Sequence, residues 1–353
     1  MSSTAITKSP FGIYNDKEIT KYVLSNSQGM KVSIIDYGAT ITSISLPNTD
    51  GTRKELVCGF NSMDGYQSEA YKANAPYFGC TVGRYASRIK DGKFSVDEKD
   101  YITAVNNGSN HLHGGIVGFD KLVWEAEVDE SNNAVSMSLQ SPHMHEGYPG
   151  NINVKVTFSL NEDNALSIKY NASSDAKTPL SLTNHSYFNL SGFTDTIHNH
   201  KVQINATKVL EPDETNVPIG EVSSVVGAVD DLSNGKLLSS CFESMETGFE
   251  HYYLFDQPFG TLAQVASITD TAGSLTLDIY TTEPGALFYT GYFTSDELKR
   301  ETGDQFGRYR GLCFETSRYP NGPNIQNSPG SFTSPDSPYK SETIFKISHQ
   351  ESV

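Results

Sequence analysis

The stretch NVKVTFSLNEDNALSIKYNA, residues 153–172, decides the fold class. Apolar side chains occupy every second position from Val154 to Leu160, and again from Leu166 to Tyr170. Successive side chains of a β-strand point to opposite faces, so this alternation is typical of a strand with one buried face. The stretch therefore predicts two half-buried β-strands.

The same alternation recurs along the chain, interrupted by short turn sequences such as Asn107-Gly108. Further strands are predicted in MKVSIIDYG (30–38), ITSISLP (41–47), KFSVDEKDYI (93–102), AVSMSLQ (134–140), KVQINATKVL (201–210), SLTLDIYT (274–281) and TIFKISHQ (343–350). The helical signal is thin: TSDELKRE (294–301) has a capping box from Thr294 to Glu297 and predicts a helix of two turns at most. We predict an all-β fold, a large antiparallel β-sandwich, with residues 1–353 as a single domain.

The charge of the chain argues against some classes of binding partner. The formal net charge is −16, and Lys and Arg form no cluster beyond pairs such as Arg53-Lys54. Nucleic acid and anionic membranes are therefore poor partners, whereas a neutral small molecule is compatible with an acidic surface.

No apolar run has the length of a signal peptide or a membrane span. The four cysteines are scattered without CxxC spacing and are interpreted as reduced core residues, which predicts a cytoplasmic protein.

Four polar segments flanked by strand patterns carry the residues capable of chemistry. The segments are YFGCTVGRYASRI (77–89), NHLHGGIVGFDKLVW (110–124), LTNHSYFNLSG (182–192) and GLCFETSRYPNGPN (311–324). The titratable or cationic residues they contribute are Arg84, Arg88, His111, His113, His185 and Glu315.

A metal site is one reading of His111 and His113, because an H-x-H pair on a strand places both rings on one face. A metal site needs three or four convergent ligands and groups that orient them. The spacing gives no indication that His111 and His113 converge with other ligands, and the cysteines add none. We therefore predict no metal, and interpret the histidines of HMHE (143–146) and HNH (198–200) as solvated turn residues.

Nucleophilic and nucleotide chemistry lack support. His185 and Ser186 are adjacent, and neighbouring residues of a strand point to opposite faces, so they cannot form a Ser–His pair. The sequence has no G-x-S-x-G elbow, no Walker motif and no G-x-G-x-x-G opening a helix.

Acid–base chemistry by a carboxyl group and imidazoles remains. Glu315 lies in an apolar strand pattern, where loss of solvation should raise its pKa toward that of a usable base. An ion pair is the structural alternative for Glu315, with Arg84, Arg88 or Arg318 as partner. A core histidine with satisfied hydrogen bonds is the alternative for His185.

Taken together and in this order, the four segments resemble the aldose 1-epimerase (galactose mutarotase) family. IIDYGATITSISLPNTDG (34–51), SPHMHEGYPGN (141–151), KVLEPDETNVPIG (208–220) and TTEPGALFYTGYF (281–293) also look like landmarks of that family, so the resemblance covers nearly the whole chain. It implies a β-supersandwich of the galactose mutarotase-like type, with an open cleft and no metal or nucleotide cofactor.

The resemblance also implies roles for individual residues. Glu315 resembles the general base that takes the proton of the anomeric hydroxyl, and His185 the general acid that protonates the ring oxygen. His113, directly before the glycines of HLHGG, resembles a hydrogen-bonding partner of the sugar, and His111 looks dispensable. Arg84 resembles the substrate-contacting arginine. Both pKa values should then lie not far from the operating pH, because the base and the acid exchange roles when the ring recloses.

Several positions depart from the family pattern around the sugar. Glu250 stands where aspartate is common, Leu287 where a polar or aromatic residue often lies, Tyr292 where asparagine is common and Ser317 where glutamine is frequent. With Arg84, the residues Glu250, Leu287 and Tyr292 are the predicted substrate-binding set. We predict retained acid–base chemistry with an altered substrate preference.

Three functions remain open. The first is an aldose 1-epimerase that interconverts the α- and β-anomers of a free sugar without a cofactor. The second is an isomerase or cyclisation catalyst for another hemiacetal, and the third is a catalytically silent sugar-binding protein. A sugar-phosphate substrate is disfavoured, because no basic cluster beyond Arg84 and Arg88 is available for a phosphate. We expect a monomer or weak homodimer.

Overall fold

The computed structural model describes residues 6–271 and 275–349. The predicted domain also includes residues 1–5, 272–274 and 350–353, which lie outside the described residues, as do Ser274 and Gln350 of two predicted strands. Most of the regular structure is β-strand.

The first fourteen strands are β1 (Thr7–Tyr14), β2 (Lys17–Ser25), β3 (Lys31–Ile35), β4 (Thr40–Pro47), β5 (Arg53–Glu55), β6 (Thr81–Val82), β7 (Arg88–Ile89), β8 (Lys93–Val96), β9 (Lys99–Ile102), β10 (His111–Leu112), β11 (Glu125–Asp129), β12 (Ala134–Ser141), β13 (Ile152–Leu160) and β14 (Ala165–Ser174). The remaining strands are β15 (Thr178–Pro179), β16 (Thr183–Asn184), β17 (Tyr187–Phe188), β18 (His200–Ile204), β19 (Lys208–Pro212), β20 (Pro218–Ser224), β21 (Lys236–Leu237), β22 (Glu250–Leu254), β23 (Ala263–Asp270), β24 (Leu275–Thr281), β25 (Gly285–Tyr289), β26 (Leu312–Ser317), β27 (Phe332–Thr333) and β28 (Tyr339–His349).

The helices are short. Within the described residues three are α-helical, α1 (Met63–Gln67), α2 (Glu69–Asn74) and α3 (Leu238–Phe242). Single turns of 3₁₀ type lie at Lys90–Gly92, Phe119–Lys121, Glu130–Asn132, His145–Gly147, Ile197–Asn199 and Gly322–Asn324.

Three antiparallel sheets organise the strands. The largest has nine strands in the order β11-β12-β13-β14-β28-β24-β23-β18-β21. The second has six, in the order β17-β26-β25-β22-β19-β20, and the third is the meander β1-β2-β3-β4-β5. Four two-stranded ladders complete the set: β10-β7, β15-β27, β16-β6 and β8-β9.

The stretch 153–172 forms neighbouring strands of the nine-stranded sheet. β13 and β14 pair with Val156 opposite Tyr170, and burial alternates along both strands. The predicted period of two is confirmed, because one face of this sheet packs into the core while the other carries polar side chains such as Lys155.

The core lies between the sheets. One cluster of buried apolar side chains joins Val156 and Ile168 of the nine-stranded sheet to Phe288 and Phe314 of the six-stranded sheet, and reaches Val32 of the meander. Two sheets that share one apolar interior form a sandwich, so the predicted all-β sandwich is confirmed.

The predicted helix at residues 294–301 is wrong, since this segment consists of turns. Tertiary contacts override the capping box there. Leu298 is buried in an aromatic cluster, and Arg300 reaches under the meander to donate to the backbone oxygens of Thr42 and Val57. A continuous helix would not place both side chains on these partners.

All four cysteines are buried and unpaired, as predicted for core residues. Within residues 6–271 and 275–349, no helix has the length and apolar character needed to cross a membrane.

The strand ladders place the four polar segments around one point. β26 lies between β17 and β25, which puts Glu315 opposite Leu287. β16 pairs with β6 just before His185, and β7 pairs with β10 so that Arg88 lies opposite Leu112. Segments far apart in the chain therefore meet at one end of the six-stranded sheet.

Candidate active site

A cleft of about 340 Å³ opens where these segments meet. It contains the three residues predicted to be catalytic, Glu315, His185 and His113. The other lining residues are Asn74, Ala75, Pro76, Tyr77, Ser87, Arg88, Asn107, Leu112, Tyr187, Asn216, Glu250, Leu287, Tyr289, Phe293 and Thr294.

Glu315 and His185 form a buried pair. Oε1 of Glu315 lies 3.4 Å from Nε2 of His185, and both side chains are at least nine-tenths buried. Burial raises the pKa of Glu315 to about 8, with the negative charge of Glu250 acting in the same direction and Arg88 opposing it. The predicted rise is confirmed.

The expectation that His185 titrates near neutrality is wrong. Burial lowers the pKa of His185 to about 4, because desolvation disfavours the imidazolium ion. Burial therefore favours the uncharged form of each group, a protonated Glu315 beside a neutral His185.

The ring of His185 is held on three sides. It stacks with Tyr187 at 5.2 Å between centroids and with Tyr77 at 5.8 Å. Its Nδ1 lies 3.5 Å from Sγ of Cys313, two residues before Glu315 on the same strand. These contacts fix the ring plane and direct Nε2 toward Glu315.

His113 is a hydrogen-bond donor to the cleft. The backbone N–H of Ser87 donates to its Nδ1 at 3.1 Å, so in the neutral ring the proton lies on Nε2. Burial, together with the nearby His185, holds the pKa of His113 well below its ordinary value, which keeps the ring neutral. The ring of His185 lies 5.2 Å away and that of Tyr77 4.8 Å away.

His111 does not reach the cleft. Its Nδ1 lies 2.7 Å from the backbone oxygen of Ala104, and its Nε2 lies 2.7 Å from the hydroxyl of Tyr148. Both ring nitrogens are occupied by structural partners, so the interpretation of His111 as a spacer agrees with its position.

Arg84 requires a correction, because it lies outside the cleft. It is 1% exposed, and its guanidinium donates to the side chain and backbone of Ser141 and to the backbone oxygens of residues 142 and 148–150. Because its N–H groups are engaged in these bonds, Arg84 has no donor left for a ligand.

Arg88, four residues further on, lines the cleft instead. Its Nη1 lies 2.7 Å from Oε1 of Glu250, and its Nε donates to Oδ1 of Asn107 at 2.9 Å. Arg88 and Arg84 were both noted in the sequence, but their side-chain directions are set by the irregular backbone between them, where Ser87 has a φ of 63°.

Among the predicted substrate-binding residues, Glu250 and Leu287 line the cleft and Tyr292 does not. The ring of Tyr292 packs under the guanidinium of Arg308 at 4.4 Å and against the edge of Phe293 at 5.0 Å. In the turn after β25 the next residue, Phe293, faces the cleft mouth and is 62% exposed. Ser317 is buried beyond the cleft.

Sequence reasoning also missed Tyr77, which packs against both cleft histidines. Tyr77 begins the segment YFGCTVGRYASRI, but no spacing distinguishes it from the other aromatic residues. The three cleft asparagines, Asn74, Asn107 and Asn216, come from loops that no periodicity could connect.

One metal-ligand group is possible among the described residues. Ligand atoms of His113, His185 and Glu315 lie within 4.8 Å of one another. A ligating histidine offers one nitrogen lone pair to the metal and usually donates its other N–H to a neighbour. Nδ1 of His113 accepts the N–H of Ser87, which places the proton on Nε2, the nitrogen that would have to bind. The hydrogen bonding of His113 therefore favours donation to a ligand oxygen over coordination.

The fold defines the class of protein, the β-sandwiches of the galactose mutarotase-like type. The crystal structure of an aldose epimerase homologue from C. elegans is similar, with a TM-score of 0.84 at 28% identity, covering 93% of this chain and 98% of that one. Galactose 1-epimerase from Lactobacillus acidophilus shares the fold, with a TM-score of 0.85 at 24% identity over 99% of this chain and all of that one.

The sequence comparisons agree. The family model for aldose 1-epimerase matches residues 20–346. Galactose mutarotase of Homo sapiens is 38% identical over 90% of this chain and 91% of its own length. That of Bos taurus is 37% identical over 94% of each chain, and the aldose 1-epimerase of Escherichia coli is 33% identical over 92% and 94%. The chain belongs to the aldose 1-epimerase family and is an enzyme of that class.

Proposed function

We propose that this chain interconverts the anomers of a free aldose by acid–base ring opening and reclosure, using Glu315 and His185 and no cofactor. The observation that carries the proposal is the buried pair at the base of the cleft, with 3.4 Å between Oε1 of Glu315 and Nε2 of His185. Ring opening requires removal of the proton on O1 and delivery of a proton to O5. A carboxyl group and an imidazole side by side can do both.

The protonation of the pair suggests the order of proton transfers. Transfer of the shared proton from Glu315 to His185 generates the carboxylate base and the imidazolium acid together. Glu315 then takes the proton of O1, and His185 gives its proton to O5 as the C1–O5 bond breaks. The open aldehyde is thus formed with the pair back in its resting state. Rotation about C1–C2 and the reverse transfers close the ring on the other face.

His113 supports this chemistry as a donor. Its Nε2–H would hydrogen-bond a reacting oxygen of the sugar, since Nδ1 is held by the N–H of Ser87. Stabilising charge that develops on an oxygen is a task for a neutral donor fixed in the site. Arg88 takes over the sugar contact that was predicted for Arg84, because its side chain reaches the cleft.

The cleft also supports an altered substrate preference. Leu287 presents an apolar side chain directly opposite Glu315, and the charge of Glu250 is compensated by Arg88. We propose a sugar, or a sugar-like hemiacetal, with fewer hydroxyls on the side that faces Leu287.

The experiment is polarimetry of freshly dissolved α-anomers of glucose, galactose, xylose, arabinose and fucose. Wild type should accelerate mutarotation, and Glu315→Gln and His185→Asn should each reduce the rate roughly 10²–10⁴-fold. His111→Gln is the matched control, because it alters a buried histidine outside the cleft. Binding of a sugar without acceleration, unaffected by Glu315→Gln, would instead establish a silent sugar-binding protein.

We also propose that residues 1–353 form one domain, active in the cytoplasm as a monomer or weak homodimer. Four buried, unpaired cysteines support a reducing compartment, and a core shared by the three large sheets supports one domain. Light scattering with size-exclusion chromatography measures the mass, and a single transition in urea would support one domain. Two separate transitions would contradict it.

A further inference from the structure

A second cavity lies beside the catalytic cleft. Its volume is about 440 Å³, larger than the 340 Å³ of the cleft, and the two share only Ala75 and Tyr77. It is enclosed by strands of the meander, by the helices α1 and α2, and by the 3₁₀ turn at residues 119–121. Neither the acid–base pair nor the predicted sugar contacts use this space.

Five tyrosine residues line this cavity. They are Tyr14, Tyr37, Tyr66, Tyr71 and Tyr77. Tyr14 and Tyr37 lie 4.6 Å apart between centroids, and Tyr66 and Tyr71 lie 5.4 Å apart. Such rings offer flat apolar faces and polar hydroxyls together, which suits a ring-shaped ligand that carries hydroxyl groups.

A charged pair provides the polar end. Nζ of Lys121 lies 2.5 Å from Oδ2 of Asp120, while Oδ1 of Asp120, also buried, has no hydrogen-bond partner among the described residues. The cavity therefore combines aromatic faces with one charged pair at its end.

The charges of the cavity favour a neutral ligand over an anionic one. Asp120 and Lys121 neutralise each other, and Lys72, the other cation of the wall, pairs with Glu69 at 3.2 Å. A phosphate or carboxylate would require cations that are not already paired. We propose that this tyrosine cavity is a second binding site for a neutral, hydroxylated ring of monosaccharide size, separate from the substrate in the cleft.

Tyr77 connects this site to the catalytic cleft. Its ring contacts His113 and His185 at 4.8 and 5.8 Å, and Nζ of Lys121 lies 5.2 Å from its centroid on the cavity side. A ligand that moves Lys121 or the ring therefore acts on both histidines. Occupancy of the tyrosine cavity should alter turnover in the cleft, a coupling between two sites through one shared side chain.

The test uses methyl α-D-glucopyranoside and methyl β-D-galactopyranoside, which cannot mutarotate because O1 is blocked. Equilibrium dialysis of radiolabelled glycoside should give about two molecules bound per wild-type chain. Tyr37→Leu and, separately, the more exposed Tyr14→Ala should each reduce this to one. Tyr280→Leu, on β24 outside both cavities, is the matched control, and thermal unfolding confirms that each variant is folded.

The outcomes separate this site from the catalytic proposal. Suppose that wild type binds one glycoside molecule per chain. If this binding is lost in His113→Ala and kept in Tyr37→Leu and Tyr14→Ala, the second site is overturned. If the single binding event is instead lost in Tyr37→Leu and kept in His113→Ala, the result supports the second site and contradicts sugar binding in the cleft. As an independent readout, inhibition of mutarotation by the glycoside should be mixed in wild type and purely competitive in Tyr14→Ala. Competitive inhibition in both would overturn the coupling.

Discussion

Arg88 and Glu250 form an ion pair within the cleft, with 2.7 Å between Nη1 and Oε1, and the two side chains shift the pKa of Glu315 in opposite directions. Glu250 raises it by repulsion, and Arg88 lowers it by stabilising the carboxylate. Besides lining the cleft, the Glu250 side chain therefore helps to set the protonation of Glu315.

The first prediction concerns the pH dependence of kcat/KM. The proposed active form carries one proton shared by Glu315 and His185, so activity should fall above about pH 8, where Glu315 loses it, and below about pH 4, where His185 gains a second. Glu250→Gln should move the basic limb to lower pH, and Arg88→Met should move it to higher pH. Polarimetry across this pH range measures kcat/KM for wild type and both variants. A basic limb at the same pH in all three proteins would contradict the assignment of this limb to Glu315.

The second prediction concerns stability. The pKa of Glu315 is about 8 in the folded chain and near its ordinary value of 4.5 when unfolded, so between these values only the unfolded chain ionises. Wild type should therefore lose stability as pH rises from 4.5 to 8. Glu315→Gln removes the titrating group and should be more stable, by at most about 3 kcal/mol at pH 7.

Urea unfolding at about pH 4, 7 and 8.5 measures that difference. It should be smallest at the lowest pH and greatest at the highest. The exposed Glu125→Gln serves as control and should show no such trend. A Gln variant that becomes less stable than wild type as pH rises would refute the raised pKa.

The third prediction separates the two arginines. Arg84→Met should destabilise the fold by roughly 3 kcal/mol or more, because it leaves several buried backbone oxygens without donors. Arg88→Met breaks one partly buried ion pair, so it should destabilise the fold less than Arg84→Met does and should reduce kcat/KM at least about tenfold. Urea unfolding and polarimetry on both variants test this, and the reverse pattern would restore Arg84 as the sugar contact.

The fourth prediction concerns substrate preference. Leu287→Gln supplies a hydrogen-bonding group opposite Glu315, so kcat/KM for galactose relative to its 6-deoxy analogue fucose should rise, on the order of tenfold. Glu250→Asp should shift discrimination further in the double variant. Tyr292→Phe is the control, since this ring faces Arg308 rather than the cleft. An unchanged ratio of kcat/KM for galactose and fucose in Leu287→Gln would mean that this side chain does not determine the substrate preference.

The fifth prediction concerns metal removal. The N–H of Ser87 fixes the proton of His113 on Nε2, so exhaustive dialysis against a chelator should leave mutarotation unchanged. The measurement is polarimetry before and after dialysis, with metal content determined by mass spectrometry. Loss of activity restored by a divalent cation would show that His113, His185 and Glu315 serve as ligands.

Much of the fold followed from local patterns. The alternation around Val154 and Leu166 marked strands correctly, because a half-buried sheet face imposes a period of two on the residues that cover it. The capping box at Thr294 did not predict a helix, because the burial of Leu298 and Arg300 outweighs the small free energy of a helix cap.

The sequence by itself determined the all-β class, and the family resemblance directed attention to Glu315, His185 and His113. Only the tertiary structure decided that Arg88 rather than Arg84 enters the cleft, that Tyr292 turns away, and that burial raises the pKa of Glu315 while lowering that of His185. The physical reason is the same in each case. Side-chain direction in irregular segments and pKa values in buried sites depend on neighbours distant in the chain, and no local periodicity records those neighbours.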